Sequence, residues 1–403
     1  MFYKVKSLFI GALFLSVTWF VGSAIYRYFT FSNPPIISFV DLEHGGTYSK
    51  DLRFMIAGDN DYKIKTIIVT LDDKELDLKG AGRVGAKQFS LPLVINTLGL
   101  NDGKHVVQVE AHDSSYHANG ATITRDFFVD NTLLRALFAQ DRYLVDQGKT
   151  LHAKITTNKP VKMVTFSLLG KDYYGTLISD DAMIYEVFIP IESEETPQEV
   201  VLSACVEDLV KNVVTIQAQV KVVPFAFKKQ RGFVISQEKL TEESELSTSH
   251  RVLEQALEKW LEQSPRKKMW HGPFETPIEV QRVATPFGEI RVTPERGRHL
   301  HKGIDLINRP RCTVWAAQTG RVIIKDRFFL TGNTVVLDHG LGVFTLYGHL
   351  EDFADIQVGD VVKKGNPLGK MGMTGYATGY HLHWEVRVNN VPVDPMEWTK
   401  TIF

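Results

Sequence analysis

Apolar and polar positions alternate with a period of two through much of the chain. From Pro34 to about Val223 short apolar runs are broken by Gly, Asn and Asp, with few helical periods. That pattern predicts half-buried antiparallel strands stacked as β-sandwiches. An internal echo splits the region: "HVVQVEAHDSSYHANGATITRDFFV" ends at Val129 and "EVVLSACVEDLVKNVVTIQAQVKV" ends at Val222. Each reads as a strand, a polar turn and a second strand. The period then lengthens. Leu253, Leu257, Trp260 and Leu261 recur at i, i+4, i+7 and i+8, which predicts one amphipathic helix capped by Ser249 and stopped by Pro265. Its apolar stripe is expected to dock on a neighbouring domain, with occlusion of a site there as the sharper alternative. Beyond it the pattern returns to Gly-punctuated strands.

The overall expectation is a mainly β chain in five parts. Residues 1–28 form a transmembrane anchor, residues 34–130 and 131–225 two immunoglobulin-like sandwiches, residues 226–269 a linker carrying the helix, and residues 270–403 a β-rich domain. The anchor rests on "SLFIGALFLSVTWFVGSAIY" (Ser7 to Tyr26), an uncharged, mostly apolar run of bilayer-spanning length. Lys4 and Lys6 precede it and Arg27 follows, so the positive-inside rule leaves the N-terminus in the cytoplasm and exports the rest. A cleaved signal segment, with Gly22, Ser23 and Ala24 near the cut, is the rival and exports the rest equally. The net charge of −1 and the lack of a basic face give no reason to expect nucleic acid. Cys205 and Cys312, the only cysteines, read as two buried thiols and not as a disulfide framework.

Chemistry concentrates in the last third. "TGYATGYHLHWEV" carries His381 and His383 two apart in a strand-like run, which puts both imidazoles on one face while Leu382 and Trp384 pack on the other. His301 and Asp305 stand in "HLHKGIDL" and His349 in "FTLYGHL". A catalytic zinc takes three protein ligands and keeps one position for water, and His and Asp are suitable ligands. Five candidate groups exceed three, so some are expected to be catalytic partners. His299 has no carboxylate four residues on and reads as a groove or surface residue, and His339 reads as structural. His105, His112 and His117 read as strand and turn residues. Gly348, Gly372, Gly375 and Gly379 allow tight turns or a close backbone approach near the groove. Tyr347, Tyr376 and Trp384 read as packing residues, with lining of the groove as the alternative.

These motifs stand in the order seen in a known family. The run from about Trp270 to Phe403, a third of the chain, resembles the lysostaphin-type (LytM) zinc metallopeptidases, and every signature block is present. The resemblance implies a compact β-sheet domain that hydrolyses peptide bonds of peptidoglycan with one zinc per domain. It assigns His301, Asp305 and His383 to the metal and His349 and His381 to catalysis. Cys312 and Tyr380 depart from the family pattern at positions that touch no ligand. The resemblance, joined to the apolar N-terminal run and its flanking charges, leads to the expectation of an exported zinc metalloendopeptidase of the bacterial cell envelope, held by the N-terminal helix in the cytoplasmic membrane with its C-terminal part outside. Peptidoglycan is the expected substrate, and a regulatory protein partner is compatible with the architecture. Two other functions are weighed. One is a catalytically inactive LytM-like activator of other wall hydrolases, although such relatives generally lack ligands and none is missing here. The other is a carrier module, because "IQVGDVVKKGNPLGK" resembles the half-barrel repeat of lipoyl and biotinyl domains, but the modified-lysine turn is absent.

Overall fold

A computed structural model describes residues 16–26, 33–80, 82, 84–230, 251–293 and 297–403. The chain forms two compact units, one from the residues up to Leu133 with Leu209–Asn212, the other from Leu134–Asp208 with Val213–Phe403. Among the described residues no helix is long and apolar enough to cross a membrane. Of the expected span Ser7 to Tyr26, residues 16–26 are described and helical, and the remainder lies outside the described residues.

The first unit contains two sheets. One joins Ile36–Val40, Asp51–Asp59 and Gln88–Asn96; the other centres on the hairpin of Gly103–Asp113 and Gly120–Val129 with Ile64–Leu71 beside it. Their inward faces share one core that includes Phe54, Ile56, Val69, Val109 and Phe127. Alternation is clear in Gly103–Asp113, where His105, Val107, Val109, Ala111 and Asp113 point inward. His105 is held at 2.6 Å from Asp72 and 2.8 Å from the Asn101 carbonyl, a strand residue with its polar atoms satisfied.

The second unit begins with another two-sheet sandwich. Its long hairpin, Glu199–Asp208 against Val213–Val223, is the second half of the sequence echo. In both sandwiches the last strand also takes a short early strand in parallel, Thr47–Tyr48 in the first and Arg142–Asp146 in the second. Cys205 departs from the buried-thiol expectation. It sits on the outward face of Glu199–Asp208 and is exposed, whereas Cys312 is half-buried against the C-terminal core; both are free thiols.

The C-terminal domain is built on a ten-stranded sheet whose central strands are Val343–Phe353 and Leu382–Val388. Their apolar positions, with Trp270, Phe274 and Trp398, form its core. A second cluster lies on the opposite side. There the helix of residues 251–261 lays Leu253 and Leu257 on Ile323, Ile324, Val336, Phe344 and Leu346, which answers the expected docking of its stripe. Burying two leucines fully is worth about 3–6 kcal/mol, which explains why this short helix is held in place. The proposed cap Ser249 lies outside the described residues.

Polar contacts join the second sandwich to the end of the chain. Lys149 pairs with Asp394 at 2.5 Å, the Thr150 N–H donates to Glu397 at 3.0 Å, and the Trp398 indole donates to the Thr150 hydroxyl at 3.2 Å. Burial pushes the Glu397 carboxyl up to about 7. A carboxyl raised in the folded state binds its proton there while the unfolded chain has released it, so stability falls as pH rises from the ordinary carboxylate range to about 7. The melting temperature of wild type relative to Glu397→Gln is therefore expected to drop by a few degrees between pH 5 and pH 8. A difference that is flat across that range refutes the assignment.

Candidate metal centre

Three neighbouring strands assemble the site through their register. Leu382–Val388 pairs antiparallel with Ile304–Ile307, setting Asp305 opposite His383, and with Val343–Phe353, setting Gly348 opposite His383. The first of these pairings depends on a glycine. A Cβ on Gly303 would stand 2.5 Å from the Trp384 carbonyl oxygen, so a larger residue would push the strands that carry Asp305 and His383 apart. Alternation does the rest: Leu382, Trp384 and Val386 enter the core, while His383, Glu385 and Arg387 share the other face.

His301, Asp305 and His383 converge. His301 Nε2 lies 3.1 Å from His383 Nδ1 and 3.1 Å from Asp305 Oδ1, and His383 Nδ1 lies 3.0 Å from the same oxygen. Ligand atoms of a tetrahedral zinc with bonds of about 2.0–2.1 Å stand roughly 3.3 Å apart, so this near-equilateral triangle fits three corners of one. The donor chemistry agrees. Two imidazole nitrogens and a carboxylate oxygen within 3.1 Å of one another turn lone pairs together unless a shared proton or a cation sits among them. The titration of the groups expresses this demand. Burial opposes both charged forms, yet the neighbouring imidazoles hold the Asp305 carboxyl far below the usual carboxylate range, and Asp305 and Glu385 raise His383 to about 9. A metal ion satisfies the same demand by displacing the proton.

The outer nitrogens of His301 and His383 are tied down. His301 Nδ1 lies 3.2 Å from the Pro286 carbonyl oxygen, and His383 Nε2 lies 2.9 Å from Glu385 Oε1. Such partners fix the ring orientation of metal-bound histidines.

His349 and His381 stand beside the triangle with ring centroids 4.6 Å apart. His381 Nδ1 donates to the Gly379 carbonyl at 2.8 Å, leaving Nε2 directed inward, 3.7 Å from Asp305 Oδ1. His349 reaches the site by a β-bulge. Val335 pairs with Tyr347 and Asn333 with Leu350, so Gly348 and His349 together oppose the single residue Thr334. Tyr347 and Leu350 both enter the core, while His349 takes φ +59, a left-handed backbone costly for any residue with a side chain. Its Nδ1 donates to the Thr374 carbonyl at 2.8 Å. That carbonyl belongs to a turn at Gly375, with φ +72, where any Cβ would collide with the Gly332 backbone. Burial, helped by neighbouring His383 and His381, lowers His349 to about 3, so its imidazole is neutral.

All five sequence candidates line one cavity of about 610 Å³, together with His299 and Tyr376. Tyr347 and Trp384 are instead wholly buried core residues. His339 is structural: buried, held 2.7 Å from both the Thr319 carbonyl and the Thr345 hydroxyl, and pushed down by burial to about 4. Glu385 and Arg387 were not singled out from the sequence. Their signal was the continuation of the His381–His383 alternation by two charged residues among core positions.

Comparison with known proteins agrees with the family resemblance. Residues 299–395 match the model of peptidase family M23 and form an M23 domain. Among relatives, the DD-carboxypeptidase/endopeptidase Mpg of Neisseria meningitidis is 38% identical over 120 residues, which is 30% of this chain and 27% of Mpg. The peptidoglycan DD-endopeptidase ShyC of Vibrio cholerae is 33% identical over 121 residues, 30% of this chain and 28% of ShyC. The matches thus span little more than a quarter of either relative's length. A solved structure of a putative peptidase M23 from Pseudomonas aeruginosa aligns over 63% of this chain and 93% of its own at 20% identity, with a TM-score of 0.41.

Proposed function

We propose that this chain is an exported zinc metalloendopeptidase that hydrolyses peptide cross-links of peptidoglycan. The observation that carries the reading is the triangle of His301, Asp305 and His383 with two oriented imidazoles beside it, inside an M23 domain. The family resemblance read from the sequence and the relatives that cleave peptidoglycan support the substrate class. In this reading the N-terminal apolar run anchors the chain in the cytoplasmic membrane, and two immunoglobulin-like sandwiches carry the catalytic domain toward the wall.

His301, Asp305 and His383 would hold the zinc, which when bound supplies a Lewis acid that polarises a carbonyl and lowers the pKa of water. The remaining work falls to side chains of this chain. His349 and His381 each give their Nδ1 proton to a backbone carbonyl, so each presents Nε2 to the cavity as a proton acceptor. One takes a proton from the attacking water and, as the imidazolium so formed, donates to the oxygen that gathers negative charge before passing that proton to the leaving amine; the other stays neutral and orients the water by accepting its second hydrogen. The backbone strain at His349 supports a functional position, because strained residues persist where the surrounding structure over-determines them and concentrate at active sites.

The alternative, an inactive activator of other hydrolases, loses weight because no member of the five-residue set is missing or misplaced. Digestion of purified peptidoglycan by the full-length protein decides between them. New peptide termini found by mass spectrometry, lost on chelation and restored by zinc, are expected; an undigested wall at saturating zinc overturns the enzyme reading.

A further inference from the structure

The polar face that begins with His383 does not end at its carboxylate partner. Glu385 Oε1 lies against His383 Nε2 at 2.9 Å, and its second oxygen, Oε2, accepts from Arg387 Nε at 2.6 Å. The other two guanidinium nitrogens of Arg387 leave the strand and donate to Glu254, at 2.7 and 2.9 Å. Glu254 lies on the helix of residues 251–261, between the docking leucines and 133 residues away in sequence from Arg387. The same carboxylate accepts from Lys302, the neighbour of His301, at 2.8 Å. Arg387 is 2% and Glu385 4% exposed, so these charges have little water to replace a lost partner.

We propose that the linker helix completes the metal site, with Glu254 as a positioning residue that acts through Arg387 and Glu385 on His383. The proposal rests on the zinc reading above. Its mechanism is a division of Glu385 between two cations. While Glu254 engages both outer nitrogens of Arg387, the guanidinium needs only one oxygen of Glu385, and the other is free to fix the imidazole. Without Glu254, the fork of Arg387 can turn to take both oxygens of Glu385, as guanidinium and carboxylate prefer, and His383 loses its orienting partner. Lys302 would at the same time lose, beside a cation site, the carboxylate it donates to. Both effects weaken metal binding in the same direction.

The test measures zinc dissociation by chelator competition and the melting temperature of the metal-free full-length protein, for wild type, Glu254→Gln, Glu254→Asp and Leu257→Ala. Gln matches Glu in size, so the amide replacement opens no void at this side chain, which is 22% exposed. Glu254→Gln is expected to raise the zinc Kd about tenfold, the low end of what outer partners of metal-bound histidines contribute. Glu254→Asp, which keeps the charge, recovers most of that loss. Leu257→Ala undermines only the apolar docking of the helix and is expected to lower the melting temperature with zinc Kd within about twofold of wild type. Equal Kd for wild type and Glu254→Gln overturns the proposal, as does a loss in Leu257→Ala that matches the loss in Glu254→Gln, because helix docking in general would then be responsible. A wild-type protein that binds no zinc overturns the zinc reading itself, a result distinct from both.

Discussion

Zinc content of the Asp305→Ala protein is expected to fall from about one per chain to near zero, and peptidoglycan hydrolysis with it. Asp305 Oδ1 is the shared corner of the triangle, 3.1 Å from His301 Nε2 and 3.0 Å from His383 Nδ1. Removing it takes away the only negative charge among the three donors and leaves two imidazoles facing one another. Outer partners of ligands are commonly worth about 10–100-fold in affinity, so loss of a ligand itself should cost on the order of a thousandfold or more. His301→Ala and His383→Ala are expected to behave alike. Metal analysis after dialysis against a weak chelator reads the outcome, and undiminished zinc in Asp305→Ala would refute the ligand set. Asp305→Asn is the informative companion: it keeps shape and one oxygen but not the charge, so retention of tight binding would show that geometry and not charge holds the ion.

The histidines and Asp305 were legible in the sequence because their chemistry is local: His-x-His on one strand face and His-x-x-x-Asp are visible without knowing the fold. The sandwich hairpins were legible for a similar reason, since alternation and polar turns fix them within a few residues. What brings His349 to the others was not. Strict alternation places it on the face of Tyr347, in the core; the bulge at Gly348 and His349 reverses that, and its trace in the sequence is only a Gly-His pair between two apolar residues. Glu385 and Arg387 could have been found by continuing the period-two count beyond His383. Glu254 could not, because its meaning depends on a tertiary contact. In the sequence it is an ordinary charged position beside the apolar stripe of an amphipathic helix, and only the tertiary structure brings it to Arg387.

His381→Ala and His349→Ala are expected to part company with the ligand variants. Neither ring contributes an atom to the triangle, so both proteins should retain zinc near wild-type content while hydrolysis drops on the order of a hundredfold or more, as when a general acid–base group or an oxyanion donor is removed. The two losses should not multiply in the double variant if one proton path uses both imidazoles, whose centroids lie 4.6 Å apart. Stability offers a second readout that separates them. His349 occupies a left-handed backbone position, so replacing it by glycine relieves strain of about 1–3 kcal/mol while deleting the imidazole. His349→Gly is therefore expected to be inactive and yet at least as stable as His349→Ala. His381, pinned through Nδ1 to the Gly379 carbonyl, has no such strain to release. Zinc content, melting temperature and peptidoglycan hydrolysis measured on the same preparations decide the matter: a His381→Ala protein with lowered stability but full specific activity would reduce His381 to a packing residue.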